Sequence, residues 1–202
     1  TVSQMQAIER AADQTGISYQ QMMENAGQGV AAWVVENYPA ICSVIGLLGS
    51  GNNGGDTLIA LTQLANIGIR TLAFTLKKRK DDHLIKRYLR AGGSLIDIVE
   101  GENLDIYQAA LIPGTLVLDG ILGTGLKLPL RGTLHDVMGK VFQLTEKRPG
   151  VLVVAVDCPS GVDCDTGETS DVTLTAHHTL TMAAIKQGLL LHPARRKAGQ
   201  IH

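Results

Sequence analysis

The chain has 202 residues, 45% of them hydrophobic, and a formal net charge of −1. That is enough apolar material for one buried core, and the near-zero charge lacks the footprint that nucleic acids or anionic membranes require. Aromatic residues make up 3%, too few for base-stacking platforms or an aromatic-rich recognition surface, so a small molecule is the expected partner.

From the amino terminus, Ser3-Gln4-Met5-Gln6 and Ser18-Tyr19-Gln20-Gln21 have the S-x-x-Q capping-box form and predict two helices. Met22, Ala26, Val30 and Trp33 give the second an apolar face expected to lie against a sheet, and Pro39 ends it. Alternation follows: strand 43–48, helix 55–67, strand 70–76, helix 80–91, strand 94–99, helix 103–111, strand 115–119, helix 133–146, strand 151–157 and strand 178–183. The strands are continuous apolar runs, which predicts a parallel sheet covered on both faces. The expected fold is therefore α/β, a Rossmann-like three-layer αβα sandwich with a mainly parallel central sheet. No linker or repeat divides residues 1–202, so a single domain is expected. At Gly199-Gln200-Ile201-His202 a further extended segment starts, the pattern of a short last strand or of a domain excised from a longer chain.

No stretch reaches the roughly 18 apolar residues of a membrane span, and the opening Thr1-Val2-Ser3-Gln4-Met5 has no secretory signal pattern. Cys42, Cys158 and Cys164 form neither a disulfide framework nor a C-x-x-C pair, which fits a reducing, cytoplasmic setting.

Three aspartates each stand just past an apolar run and beside glycine: Asp56, Asp119 and Asp157. A single parallel sheet would carry all three to the carboxyl-end rim where ligands bind. Gly49-Ser50-Gly51-Asn52-Asn53-Gly54 matches G-x-G-x-x-G between a strand and a helix, a phosphate-binding context. Asp56, read as lying in the first helical turn, competes with a phosphate for the positive helix end. The second strand ends in Lys77-Lys78-Arg79-Lys80 where a dehydrogenase would carry an acidic ribose ligand, so that run reads as a solvated helix start. Without the lysine of a Walker A loop, nucleotide hydrolysis of that kind is excluded.

Four motifs together are specific. Met23-Glu24-Asn25-Ala26-Gly27, then Gly49-Ser50-Gly51-Asn52-Asn53-Gly54-Gly55-Asp56, then Asp119-Gly120-Ile121-Leu122-Gly123-Thr124-Gly125, then Asp157-Cys158-Pro159-Ser160-Gly161 closely resemble the NAD(P)HX epimerase family, also called the YjeF N-terminal domain. The resemblance implies a metabolite-repair isomerase that interconverts the S and R forms of hydrated NADH and NADPH, whose extra hydroxyl is on C6 of the nicotinamide ring, for an S-specific dehydratase partner, free or fused. It implies substrate contacts at Asn52, Asn53, Gly54, Gly55, Asp56, Gly123, Thr124, Gly125, Leu126, Lys127, Leu128, Pro129 and Asp157. It also implies a potassium ion on Asn53, Asp119 and Ser160, no organic cofactor, and a homodimer.

Oxygen-only ligands with a single carboxylate suit a hard monovalent cation, although Asn and Ser beside glycine also serve simply to satisfy loop backbone groups. Asp119 is assigned as general acid and then base: the ring nitrogen expels the C6 hydroxyl as water, a planar iminium forms, and water returns on either face. The bland alternative for Asp119 is a strand-end aspartate capping the Gly120 to Gly123 turn. Thr57 replaces a glycine usual in the family and is expected to narrow the approach to a phosphate. Two other readings stay open: a non-enzymatic interaction module of the same fold, and a nucleotide-binding oxidoreductase. Set aside are His177-His178, adjacent on a strand and so on opposite faces, and Asp163, Asp165 and Gly167, which read as a turn rather than a calcium loop. Glu24 and Asn25 read as either site-facing or surface residues. Lys186 is near enough to a strand end to meet a phosphate but is not counted among the site residues.

Overall fold

The computed structural model describes residues 1–79 and 83–202. Its strands are β1 (Ser43–Leu48), β2 (Arg70–Thr75), β3 (Ser94–Asp97), β4 (Leu116–Gly120), β5 (Leu152–Val156), β6 (His178–Leu180) and β7 (Gln200–Ile201). They form one sheet in the order β3-β2-β1-β4-β5-β6-β7, every pair parallel. The helices are α1 (Val2–Gln14), α2 (Tyr19–Asn37), α3 (Asn52–Asn66), α4 (His83–Arg90), α5 (Leu104–Ala110), α6 (Thr133–Glu146) and α7 (Ala194–Lys197), with a 3₁₀ turn at Gln187–Leu190. Among the described residues no helix is long and apolar enough to cross a membrane.

Alternating strand side chains divide the interior in two. Val44, Leu48, Leu118 and Val156 pack with Val34, Leu58, Leu61 and Tyr88 on one face. Ile45, Leu47, Val117 and Val153 pack with Tyr107, Met138, Val141 and Phe142 on the other. Fully burying each such side chain contributes about 1.5–3 kcal/mol, which explains why the strands read as unbroken apolar runs. The expected three-layer sandwich is what forms. After β3 the chain returns to the far side of β1, so β1 and β4 meet at the topological switch point, with Leu47 beside Asp119 and Leu48 beside Gly120.

Three local expectations are corrected. The complete capping box at α1 is Thr1 with Gln4, not Ser3 with Gln6, because the helix starts two residues earlier. The hydroxyl of Ser18 does accept from the Gln21 N–H at 3.2 Å. Helix α2 crosses α3, a partner its apolar pattern did not name, while Val30 of its predicted apolar face, together with Val34, joins the core with the strand residues. At the crossing a Cβ on Gly27 would stand 2.5 Å from Ile59 Cβ and 2.6 Å from the Asp56 carbonyl, so only glycine lets the helices approach. Helix α3 starts at Asn52, before the predicted 55, and β6 stops at Leu180, before the predicted 183. The predicted helix over 80–91 begins outside the described residues, as does Lys80 of the basic run; α4 is described from His83.

Candidate active site

The first glycine loop is folded by close backbone approaches. A Cβ on Gly49 would overlap the Ile121 carbonyl, and one on Gly54 would press on the Gly49 carbonyl and on the Arg79 guanidinium. Arg79 Nη1 donates to the carbonyls of Gly49 and Gly51, each at 2.8 Å. It is therefore folded back onto the loop, while Lys77 and Lys78 are exposed as the solvated reading expected. Helix α3 has no side-chain cap and no acidic residue in its first turn. Asp56 falls in the second turn, which corrects the expectation that it occupies the helix end. The first N–H groups of that end thus have no side-chain acceptor, the arrangement that suits an anionic ligand.

A buried polar knot lies where β1, β4 and the loop after β5 meet. Asp119, 1% exposed, accepts from the Ser160 N–H at 2.8 Å, the Ser160 hydroxyl at 2.5 Å and the Ile121 N–H at 3.4 Å. The Leu122 N–H donates to Ser160 Oγ at 2.9 Å, and Asn53 Nδ2 donates to the Leu122 carbonyl at 2.9 Å. Burial raises the Asp119 pKa, against the lowering effect of Ser160 and Ile121. Asn53 Oδ1 is buried with no hydrogen-bond partner among the described residues. A buried carbonyl oxygen left in that state is costly unless something positive meets it. The Asn53 and Ser160 side chains thus meet at Leu122, with the Asp119 carboxylate bonded to Ser160 beside them, and as an all-oxygen set with one orphaned acceptor the three residues fit a potassium ion.

A cavity of about 870 Å³ opens beside this knot, lined by α1, α2, the start of α3, α4, and the loops after β4, β5 and β6. Asn52, Asp56, Thr124, Asp157 and Lys186 are in its wall. Asp157 has φ +66°, a strained left-handed conformation for a residue with a side chain. Its Oδ1 accepts from the Met182 N–H at 3.0 Å and from the Lys186 ammonium, which is itself 2% exposed and also donates to the Met182 carbonyl at 2.8 Å. The Asp56 pKa is pushed up to about 8, first by burial and next by the negative charges of Asp157 and Glu9, with Arg79 and Lys186 opposing.

The structure therefore divides the sequence-derived site. Asp56 and Asp157 share the cavity; Asp119 is not in its wall, and with both oxygens bonded its surroundings disfavour direct exchange of protons with a ligand there. Asn53, Gly54 and Gly55 are buried in the first turn of α3, behind exposed Asn52. Of the second glycine segment, Thr124 reaches the cavity, while Leu128 and Pro129 line a separate depression of about 430 Å³ with Ser170 and Pro193. Gly123 abuts the Asn53 side chain, Gly125 and Lys127 are exposed, and Leu126 is half-buried.

Thr57 does not narrow the phosphate approach. It is fully buried, its hydroxyl donates to the Asn53 carbonyl at 2.8 Å, and it fills the space left by Gly120, where a Cβ would overlap it. Glu24 and Asn25 both face the cavity, Glu24 in a two-pronged ion pair with Arg87 at 2.7 Å on each arm. Asp163 accepts from the N–H groups of Asp165 and Thr166, the expected turn. His178 bonds Tyr38 and His202 beside Trp33, whereas His177 accepts from the Val153 N–H. Sequence reasoning left Lys186 outside the site, read Arg79 as part of a solvated helix start, and missed Glu9. Lys186 carried a signal, a lone charge in an apolar stretch; Glu9 on α1 carried none.

A parallel α/β sheet with a glycine loop, an uncapped helix end and a cavity at its switch point defines a Rossmann-like ligand-binding protein. The chain belongs to the family described as YjeF-related protein N-terminus, whose model matches residues 19–188. It is 38% identical over 186 residues to the NAD(P)H-hydrate epimerase of Rhodopirellula baltica, covering 90% of this chain and 72% of that protein. To the NAD(P)H-hydrate epimerase of Clavibacter sepedonicus it is 36% identical over 188 residues, 90% of this chain and 79% of that one. To the bifunctional NAD(P)H-hydrate repair enzyme Nnr of Thermofilum pendens it is 30% identical over 211 residues; the chain is covered completely but spans only 38% of that relative's length. The crystal structure of the yeast protein YNL200c matches the whole chain and 85% of its own, with a TM-score of 0.79 at 22% identity, a likeness of fold.

Proposed function

We propose that this protein epimerises hydrated NADH and NADPH. The observation that carries the reading is the 36–38% identity to two NAD(P)H-hydrate epimerases over 90% of the chain. The geometry supports it: one continuous cavity offers an uncapped helix end, suited to the pyrophosphate, and a pair of aspartates with a lysine, suited to the hydrated ring.

The chemistry required is loss and return of the C6 hydroxyl. The ring nitrogen's lone pair drives out the hydroxyl as water, leaving a planar cation open to water on both faces. Asp157, fixed by Lys186 and the Met182 N–H, supplies negative charge in the wall to steady that cation. Asn53, Asp119 and Ser160 would hold the potassium ion, whose positive charge offsets the burial of the Asp119 carboxylate. Asp119 is proposed in that ligand role in place of the acid–base role read from the sequence, because its oxygens are turned to Ser160 and Ile121. A hydrate dehydratase, fused or separate, is the proposed downstream partner, in keeping with the bifunctional repair enzymes among the relatives. A cytoplasmic homodimer is the proposed setting and form.

The test starts from the pure R epimer of hydrated NADH, followed by chromatography with and without protein, in potassium and in sodium buffer. The reading predicts faster approach to the mixture of epimers with protein, faster still in potassium. A rate equal to buffer alone would refute it.

A further inference from the structure

Resting on the epimerase reading, we infer that Asp56 is the catalytic acid, giving its proton to the departing ring hydroxyl and recovering one when water adds back. The three rim aspartates differ in how their oxygens are satisfied. Asp119 is bonded on both oxygens inside the knot, and Asp157 is bonded by Lys186 and the Met182 N–H. Asp56, 9% exposed and in the cavity wall, has no hydrogen-bond donor among the described residues.

A carboxylate in such a place is poorly solvated, whereas a carboxylic acid is a neutral donor aimed at whatever occupies the cavity. The charged groups acting on it are Asp157 from the end of β5, Glu9 from α1, Arg79 from the segment after β2 and Lys186 from the loop after β6. Glu24, paired with Arg87, and His83 share the same cavity. Burial together with the Asp157 and Glu9 charges outweighs Arg79 and Lys186, so Asp56 keeps its proton to about pH 8.

The step balances. The C6–O bond breaks with its electron pair on oxygen, that oxygen takes the Asp56 proton and leaves as water, and the nitrogen lone pair closes the C=N bond. In return a water oxygen attacks C6, the C=N pair goes back to nitrogen, and the surplus proton returns to the Asp56 carboxylate. It passes directly when water adds to the face it left, and through a second water when it adds to the other face. Nothing is oxidised or reduced, and Asp56 ends as it began.

The experiment compares the parent with Asp56→Asn and Asp56→Glu for epimerisation across pH 5–10. In the parent, kcat falls as pH rises through about 8. Asp56→Asn loses about 10²–10⁴ in kcat with KM changed only a few fold, its residual activity lacks that limb, and Asp56→Glu recovers at least about tenfold over Asn. A second reading needs no substrate. Between the unfolded and folded pKa values the folded parent binds more protons than the unfolded chain, so its stability declines from about pH 4 to 8. The urea midpoint of Asp56→Asn should therefore lie above the parent's at pH 7 and coincide with it at pH 4. Asp56→Asn within about threefold of parental kcat, or with the same high-pH limb, overturns the inference while leaving the epimerase reading standing. A parent no faster than buffer overturns both.

Discussion

Asn53 sends its amide N–H to the Leu122 carbonyl and leaves Oδ1 buried and without a partner among the described residues, which is the structural argument for an ion at that point. A ligand that binds only the folded protein raises stability by RT ln(1 + [L]/Kd). Potassium chloride should therefore raise the thermal midpoint over tetramethylammonium chloride at equal ionic strength, by about 2–8 °C for about 1–2 kcal/mol of linkage. In Asn53→Ala that difference should vanish; its persistence would move the ion elsewhere. At this scale much was legible: Asp56 and Asp157 meet in the cavity as their place after strands implied. Asp119 reached the rim but turned into the knot, because Ser160, distant in sequence, meets it there, and no local pattern reports such a partner.

Among the elements, α2 and α3 carry the clearest wager. Gly27 and Gly29 are both in α2, yet a Cβ on Gly27 would press on Ile59 and on the Asp56 carbonyl, whereas one on Gly29 meets nothing within 4 Å. Gly27→Ala should cost about 1–3 kcal/mol in chemical denaturation, by forcing α2 off the helix that bears Asp56. Gly29→Ala should gain about 0.5–1 kcal/mol, as alanine replaces glycine on an open helix face. Equal effects would mean the crossing is loose. Periodicity revealed α2 but not its partner: a stripe of apolar residues says that a helix face is buried, not whether a sheet or another helix buries it. Likewise α3 was dated late because Asn52-Asn53-Gly54-Gly55 has poor intrinsic helix propensity. The loop that Arg79 and Gly49 hold in place starts it earlier.

In the whole molecule, function follows from a crossover. The return from β3 to the far side of β1 leaves a cleft at the switch point, and the residues after β1, β4 and β5 fall around it. Strand and helix alternation made that topology legible, since right-handed parallel connections leave few alternatives. The cavity's outer wall was not legible. Helix α1 is tied down at the Val2 N–H by Asp165 at 2.7 Å, 163 residues along the chain, and that long-range bond, the packing of Val2 and the burial of Met5 bring Glu9 to the site. The account as a whole rests on the ring hydroxyl leaving and water returning within this cavity. The direct measurement is epimerisation in ¹⁸O-labelled water with mass analysis of the recovered epimers. The account predicts label in both, entering at the rate of epimerisation and above the protein-free control. Interconversion with the original oxygen retained would contradict it.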